Sequence, residues 1–161
     1  MPTPTYEKID KATGTGSSGT ITFTSIPATY TDLVLVWQPI VGTSTSDYIR
    51  FNNDSATNYS ETVLRGNGTT ATSVRDTSVA QMYISTSMST TSNVCIAHIM
   101  NYANTTTYKT TLFRANNPSG WVNAGVGLWR KTPEAINRID IISSVNFTTD
   151  STFTLYGIKA A

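Results

Sequence analysis

The sequence predicts an all-β protein: an antiparallel, jelly-roll-like β-sandwich of about 8–10 strands. Three observations carry this. Short apolar runs recur roughly every 8–12 residues, bounded by clusters of Gly, Pro, Asn, Asp and Ser. Within the runs apolar and polar residues alternate with period two, and no stretch keeps a helical period long enough to be a helix. Ser, Thr and Asn make up roughly a third of the chain, well above ordinary usage. Thr suits an exposed strand face because it is β-branched and polar, and Ser and Asn suit turns because they bond the local backbone. A fibronectin-like sandwich is the alternative, but it needs fewer strands and a shorter chain.

Residues 1–19 form a polar lead with Pro2, Pro4, Gly14, Gly16 and Gly19. This reads as a flexible N-terminal arm, in which Tyr6 and Ile9 are the residues able to pin an edge strand. Residues 20–161 form the single sandwich domain. The organising stretch is 20–41. Ile21 and Phe23 alternate with Thr20, Thr22 and Thr24, and Pro27 then stops the strand by fixing its own φ. After a corner, Leu33, Val34, Leu35, Val36 and Trp37 form the most continuous apolar run, as expected of a strand covered on both faces. Later strands are expected to lie against this pair.

The following strands centre on Ile49 and Phe51, then on Val63 and Leu64. Gly66-Asn67-Gly68 is a turn, because these residues accept positive φ. Residues 69–77 are a polar loop or weak strand. Met82 and Ile84 mark the next strand, and residues 85–93 read as a mobile loop. Cys95, Ile96 and Ile99 mark a buried strand, and Leu112 and Phe113 cross the middle of another. Residues 116–120 contain every turn residue type. In residues 121–130, Gly125 and Gly127 stand between apolar residues, which signals a bulge or a close approach to the backbone. Ile136, Ile139, Ile141 and Ile142, then Phe153, Leu155, Tyr156 and Ile158, complete the set.

Composition excludes several functions. The chain has 161 residues, a net charge of +1 and 13% charged residues. That leaves no basic stripe for nucleic acid, and no apolar run has the length of a membrane span. With one cysteine, Cys95, no disulfide forms within the chain. The N-terminus does not resemble a signal peptide, so the expectation is a soluble chain made in the cytoplasm.

Catalytic and cofactor chemistry find no foothold, and no cofactor is expected. His98 is the one histidine, and its neighbours place it in a strand. No nucleophile-elbow pattern accompanies it, and zinc would need further nitrogen or sulfur ligands. The acids are scattered without a spacing that selects a glycosidase pair. Asn52-Asn53-Asp54-Ser55 offers oxygen ligands for Ca²⁺ but also reads as a solvated turn. The glycines of residues 14–19 precede a strand rather than a helix, so they are not a phosphate loop. Of the tryptophans, Trp37 reads as core. Trp121, after a loop, and Trp129, before Arg130 and Lys131, are the candidates for ligand or subunit contact.

Taken in order, Tyr6-Glu-Lys-Ile9, Thr22-Phe-Thr-Ser-Ile-Pro27, Tyr30-Thr-Asp-Leu-Val-Leu35, Arg50-Phe-Asn52, Asn58-Tyr-Ser60, Asn101-Tyr-Ala103, Gly127-Leu-Trp-Arg130, Ala135-Ile136 and Thr152-Phe-Thr-Leu-Tyr-Gly-Ile-Lys159 resemble a family of small proteins in tailed-phage genomes, many of them marine or cyanobacterial. The resemblance covers nearly the whole chain. It implies a virion structural protein, with no catalytic residues to carry over. The expected role is a surface-exposed capsid decoration or cement protein, a symmetric homo-oligomer with a homotrimer as the leading form. Its partners would be itself and the major capsid protein or other virion proteins. The alternative is a tail or fibre component adhering to host glycans through Trp121 and residues 116–120. A small hydrolase of the host envelope ranks third.

Overall fold

A computed structural model describes residues 5–91, 93–118 and 120–159. Residues 1–4 of the expected arm, Ser92 and Ser119 of the expected loops, and residues 160–161 lie outside these. In chain order the strands are β1 (Tyr6–Thr13), β2 (Thr20–Phe23), β3 (Asp32–Gln38), β4 (Thr45–Phe51), β5 (Tyr59–Gly66), β6 (Ala71–Val79), β7 (Met82–Met88), β8 (Cys95–Met100), β9 (Lys109–Asn117), β10 (Trp121–Trp129), β11 (Ile139–Ser143) and β12 (Thr152–Ile158). No helix occurs among the described residues.

Two antiparallel sheets form the sandwich. The larger has eight strands in the order β1-β12-β3-β8-β9-β10-β5-β6, and the smaller has four in the order β2-β11-β4-β7. The all-β, jelly-roll-like sandwich is therefore as the alternation predicts, but with twelve strands rather than about 8–10. The surplus comes from β1 and β6. Both are edge strands and mostly exposed, so neither carries the apolar alternation that marks a strand in a sequence.

Period two sorts the core. Leu33, Leu35 and Trp37 of β3, Cys95, Ala97 and Ile99 of β8, and Phe153 and Leu155 of β12 point inward from the large sheet. Phe23 of β2, Ile49 and Phe51 of β4, and Ile139 and Ile141 of β11 meet them from the small one. Burying one such side chain contributes about 1.5–3 kcal/mol. Trp37 donates its indole N–H to Asp47 Oδ2 at 2.8 Å. Burial pushes the Asp47 carboxyl up to about 7, against the hydrogen bonds from Trp37 and Cys95 that favour its ionised form.

The organising stretch differs from expectation in one respect. β2 and β3 are not neighbours: β2 pairs with β11 in the small sheet and β3 with β12 and β8 in the large one. The corner at Pro27 carries the chain from one sheet to the other. Tyr102 pins that corner, its hydroxyl donating to the Pro27 carbonyl and accepting the Tyr30 N–H.

The arm also differs. Residues 6–13 form β1, which pairs with β12 from Tyr6↔Ile158 to Thr13↔Thr152, shifting register around Ile9. Beyond it, the Gly14 N–H donates to Ser151 O and the Gly16 N–H to Phe147 O, at 3.0 and 2.9 Å. The reason is steric as well as polar. A Cβ on Gly14 would sit 2.0 Å from the backbone oxygen of Thr148, so only glycine lets the chains approach. Gly14→Ala is expected to cost about 1–3 kcal/mol, read as a lower urea midpoint. Gly42→Ala, where a Cβ meets nothing within 4 Å, is the control that should stay near wild type.

The strand glycines behave as the sequence suggests. Gly125 faces its cross-strand partner Phe113, whose ring lies 2.2 Å from where a Cβ would be. Gly127 lies equally close under the Met82 sulfur. These two positions let the small sheet's edge and a β9 ring settle directly on the β10 backbone.

Candidate functional site

The outer face of the large sheet is the first feature. Pairing registers align the side chains in rows across the strands. One row runs Tyr156, Val34, His98, Leu112, Val126, Thr62. The next runs Thr154, Val36, Ile96, Arg114, Ala124, Leu64. Several of these aliphatics lie open to solvent: Leu64 is 60% exposed, Val122 61%, Val126 48% and Leu112 44%. Shallow depressions cross the face, one bounded by Val94, Ile96, Arg114 and Val122 and another by Thr62, Leu64, Leu112 and Val126. Contiguous apolar surface left open to solvent is where interaction surfaces are found on folded proteins. Arg114 lies within this face, the first row continues from Thr62 to Arg75 on β6, and His98 hydrogen bonds with Asp32 at 3.1 Å.

The second feature is a polar cleft. The β5–β6 hairpin overhangs β7, the edge of the small sheet. Glu61 and Asp76 are cross-strand partners on the hairpin, and Tyr48 and Tyr83 are partners on β4 and β7. With Arg50 and Gln81 they line a space of about 570 Å³. The two tyrosine rings meet edge to face with centroids 5.7 Å apart. Arg65 lies over the Tyr83 ring at 4.9 Å, and Arg50 donates to Gln81 Oε1 at 3.1 Å. Glu61 is only 4% exposed. Burial pushes its carboxyl up to about 7, a hydrogen bond from the Tyr83 backbone opposes the shift, and the Asp76 charge adds to it. Glu61 Oε2 and Arg50 Nε are buried without a hydrogen-bond partner.

The candidates from the sequence fall elsewhere. Trp129 is not available to a ligand or a second subunit, because it is 2% exposed. It stacks on Tyr59 with ring centroids 6.4 Å apart, meets Phe51 edge-on, and donates its indole N–H to Asp54 Oδ2 at 2.7 Å. The following Arg130 and Lys131 suggest a surface, but only Lys131 reaches back, its Nζ 6.0 Å from the ring. Trp121 is half-buried at the start of β10, away from the cleft residues.

The Asn52-to-Ser55 cluster is a structural turn. Asp54 accepts from Trp129, Asn58 and the Ala56 N–H. Burial alone would raise its carboxyl, but these donors hold it below the usual range. Asn52 sits at a φ of 49° and bridges to residues 134–138 through both ends of its amide. Cys95 is buried as expected, its thiol pushed up first by burial and then by Asp47.

No protein-family model matches the chain, and no curated protein matches it. Among the solved structures that are similar, two have these descriptions. The crystal structure of Caenorhabditis elegans galectin LEC-6 gives a TM-score of 0.40 at 10% identity, covering 89% of this chain and 94% of that one. CG-16, a homodimeric agglutinin from chicken liver, gives 0.39 at 12% identity, covering 83% and 98% respectively. Neither likeness places this chain in a family.

Proposed function

We propose that this chain is a non-enzymatic structural component of a phage particle, a decoration or cement protein on the head that assembles as a symmetric homotrimer. The observation that carries the reading is the apolar outer face of the eight-stranded sheet. The sandwich core is already filled from its other side, so these aliphatics serve nothing within one chain. The occupant is a second copy of the same face. On a three-fold axis one half of each aliphatic face packs against the other half of the next copy's face. A chain of net charge +1 offers little long-range repulsion to its own kind. Three copies turned inward on a common axis bury every such face and close the assembly. The polar rim of Thr62, Thr110 and Asn116 then marks the edge of the contact.

Two measurements test this. Light scattering on the purified chain is expected to give three times the chain mass, and Leu64→Glu with Val126→Glu should give folded monomers. A wild-type monomer would overturn the assembly. Quantitative mass spectrometry of purified virions should find the chain at an abundance comparable with the major shell protein. A small fraction of that abundance would move it to the tail or fibres, and its absence would overturn the structural role altogether.

A further inference from the structure

We infer that the cleft between the β5–β6 hairpin and β7 binds a neutral, hydroxyl-rich ligand of the sugar class. The inference goes beyond the particle role and stands whether the chain sits on the head or the tail.

The chemistry follows from what lines the cleft. Glu61 is more than nine-tenths buried, yet its Oε2 has no partner, and Arg50 Nε is a buried donor in the same condition. Leaving a buried polar atom unsatisfied is costly, and native proteins rarely do so without a reason. One acceptor and one donor call for a group that can both give and take a hydrogen bond, which a hydroxyl does and an ammonium or a carboxylate does not. Charge argues the same way. A cationic ligand meets Arg50, and an anionic one meets Glu61 and Asp76. A neutral ligand meets neither penalty. Tyr48 and Tyr83, both half-buried, add the ring surface that the C–H face of a pyranose packs on. Gln81, already oriented by Arg50, keeps its amide N–H₂ free to donate to a further hydroxyl. A volume of about 570 Å³ suits one or two sugar rings and falls within the range of small-molecule sites, about 300–1,000 Å³.

The test is amide-shift mapping on the full ¹⁵N-labelled chain with the methyl glycosides of glucose, galactose, mannose and N-acetylglucosamine, beside spermidine and inorganic phosphate. The expected result is saturable shifts at Tyr48, Gln81, Tyr83 and Asp76 with at least one glycoside and none there with the two ions. Arg50→Met and, separately, Asp76→Ala should weaken that binding by roughly tenfold, the effect of one charge-assisted hydrogen bond, while leaving the melting temperature within a few degrees. Val126→Glu, on the apolar face, should bind as wild type does. Shifts with spermidine or phosphate in place of the glycosides would overturn the ligand class. No saturable shift at the cleft with any glycoside, or shifts that survive both variants unchanged, would overturn the site.

Discussion

Replacing Trp129 by alanine is expected to lower stability by about 3–5 kcal/mol, the usual cost of truncating a buried tryptophan. That is a large part of the 5–15 kcal/mol that holds an ordinary domain together. Two losses add. The ring leaves a hole beside Tyr59 and Phe51, which pack on it from two sides. Asp54 also loses the indole donor at 2.7 Å while remaining 9% exposed. The damage spreads, because the backbone carbonyl of Asp54 also accepts the Tyr59 hydroxyl and so holds the turn onto β5. Trp129→Phe keeps most of the packing and loses only the donor, so it should cost about 1–3 kcal/mol. Trp121→Ala, at a half-buried position, should cost much less than either. Urea unfolding followed by circular dichroism ranks the three. Equal costs for Trp121→Ala and Trp129→Ala would contradict the packing described here.

The second large effect is on pH. Asp47 and Glu61 ordinarily titrate near 3.8 and 4.5, and burial raises both to about 7 in the folded chain. Between those values the folded state holds protons that the unfolded state has released. Stability from these two groups is therefore full at acidic pH and lost as pH rises toward 7. At about 1.4 kcal/mol per unit, Asp47 alone accounts for on the order of 4 kcal/mol. Asp54, Glu134 and Glu7 act with the opposite sign. Their carboxyls are held low, so their contribution is lost as acid protonates them. The melting temperature should peak near pH 5, fall by pH 8, and fall again in stronger acid. Asp47→Asn supplies the neutral form at every pH and should flatten the alkaline side, and adding Glu61→Gln should flatten it further. Calorimetry from pH 3 to 8 checks this, and a melting temperature that climbs steadily to pH 8 would refute it.

Much of this architecture is readable before any coordinates exist, and the reasons are local. Pro27 marks the corner after β2, which itself stops at Phe23, and Gly125 and Gly127 announce a close approach that Phe113 and Met82 make. His98 reads as a strand residue, and it lies in β8 with Asp32 as its hydrogen-bond partner. Sheet membership is another matter. Nothing near Phe23 or Asp32 says that the corner between them changes sheets, because that depends on which distant strands arrive. The N-terminal lead misleads for a similar reason. Its glycines look like freedom, but Gly14 is needed because Thr148, far along the chain, passes against it. Trp129 misleads through its neighbours, since Arg130 and Lys131 advertise a surface while the indole turns the other way.

The cleft was half legible. The turn at residues 66–68, closed by Asn67 Oδ1 accepting the Thr69 and Thr70 N–H groups, fixes the hairpin register. Counting back from Gly66↔Ala71 places Glu61 opposite Asp76. That count requires residues 71–79 to be a strand, and their Thr, Ser, Arg and Asp hide it. The facing pair, Tyr48 and Tyr83, comes from the other sheet and no local pattern predicts it.

The position of β12 has a consequence for how the molecule comes into being. It lies between β1 and β3, so until it is in place the large sheet is split and β1 has no partner. A growing chain on the ribosome can assemble β3, β8, β9 and β10 from their near neighbours, yet it carries an open seam down the sheet until residue 158 emerges. Closure thus waits for β12, and non-local pairing of this kind is slow. A copy broken off early keeps bare edges on both sides of the seam and is marked for aggregation or proteolysis. Only chains carrying both β1 and β12 therefore close the large sheet.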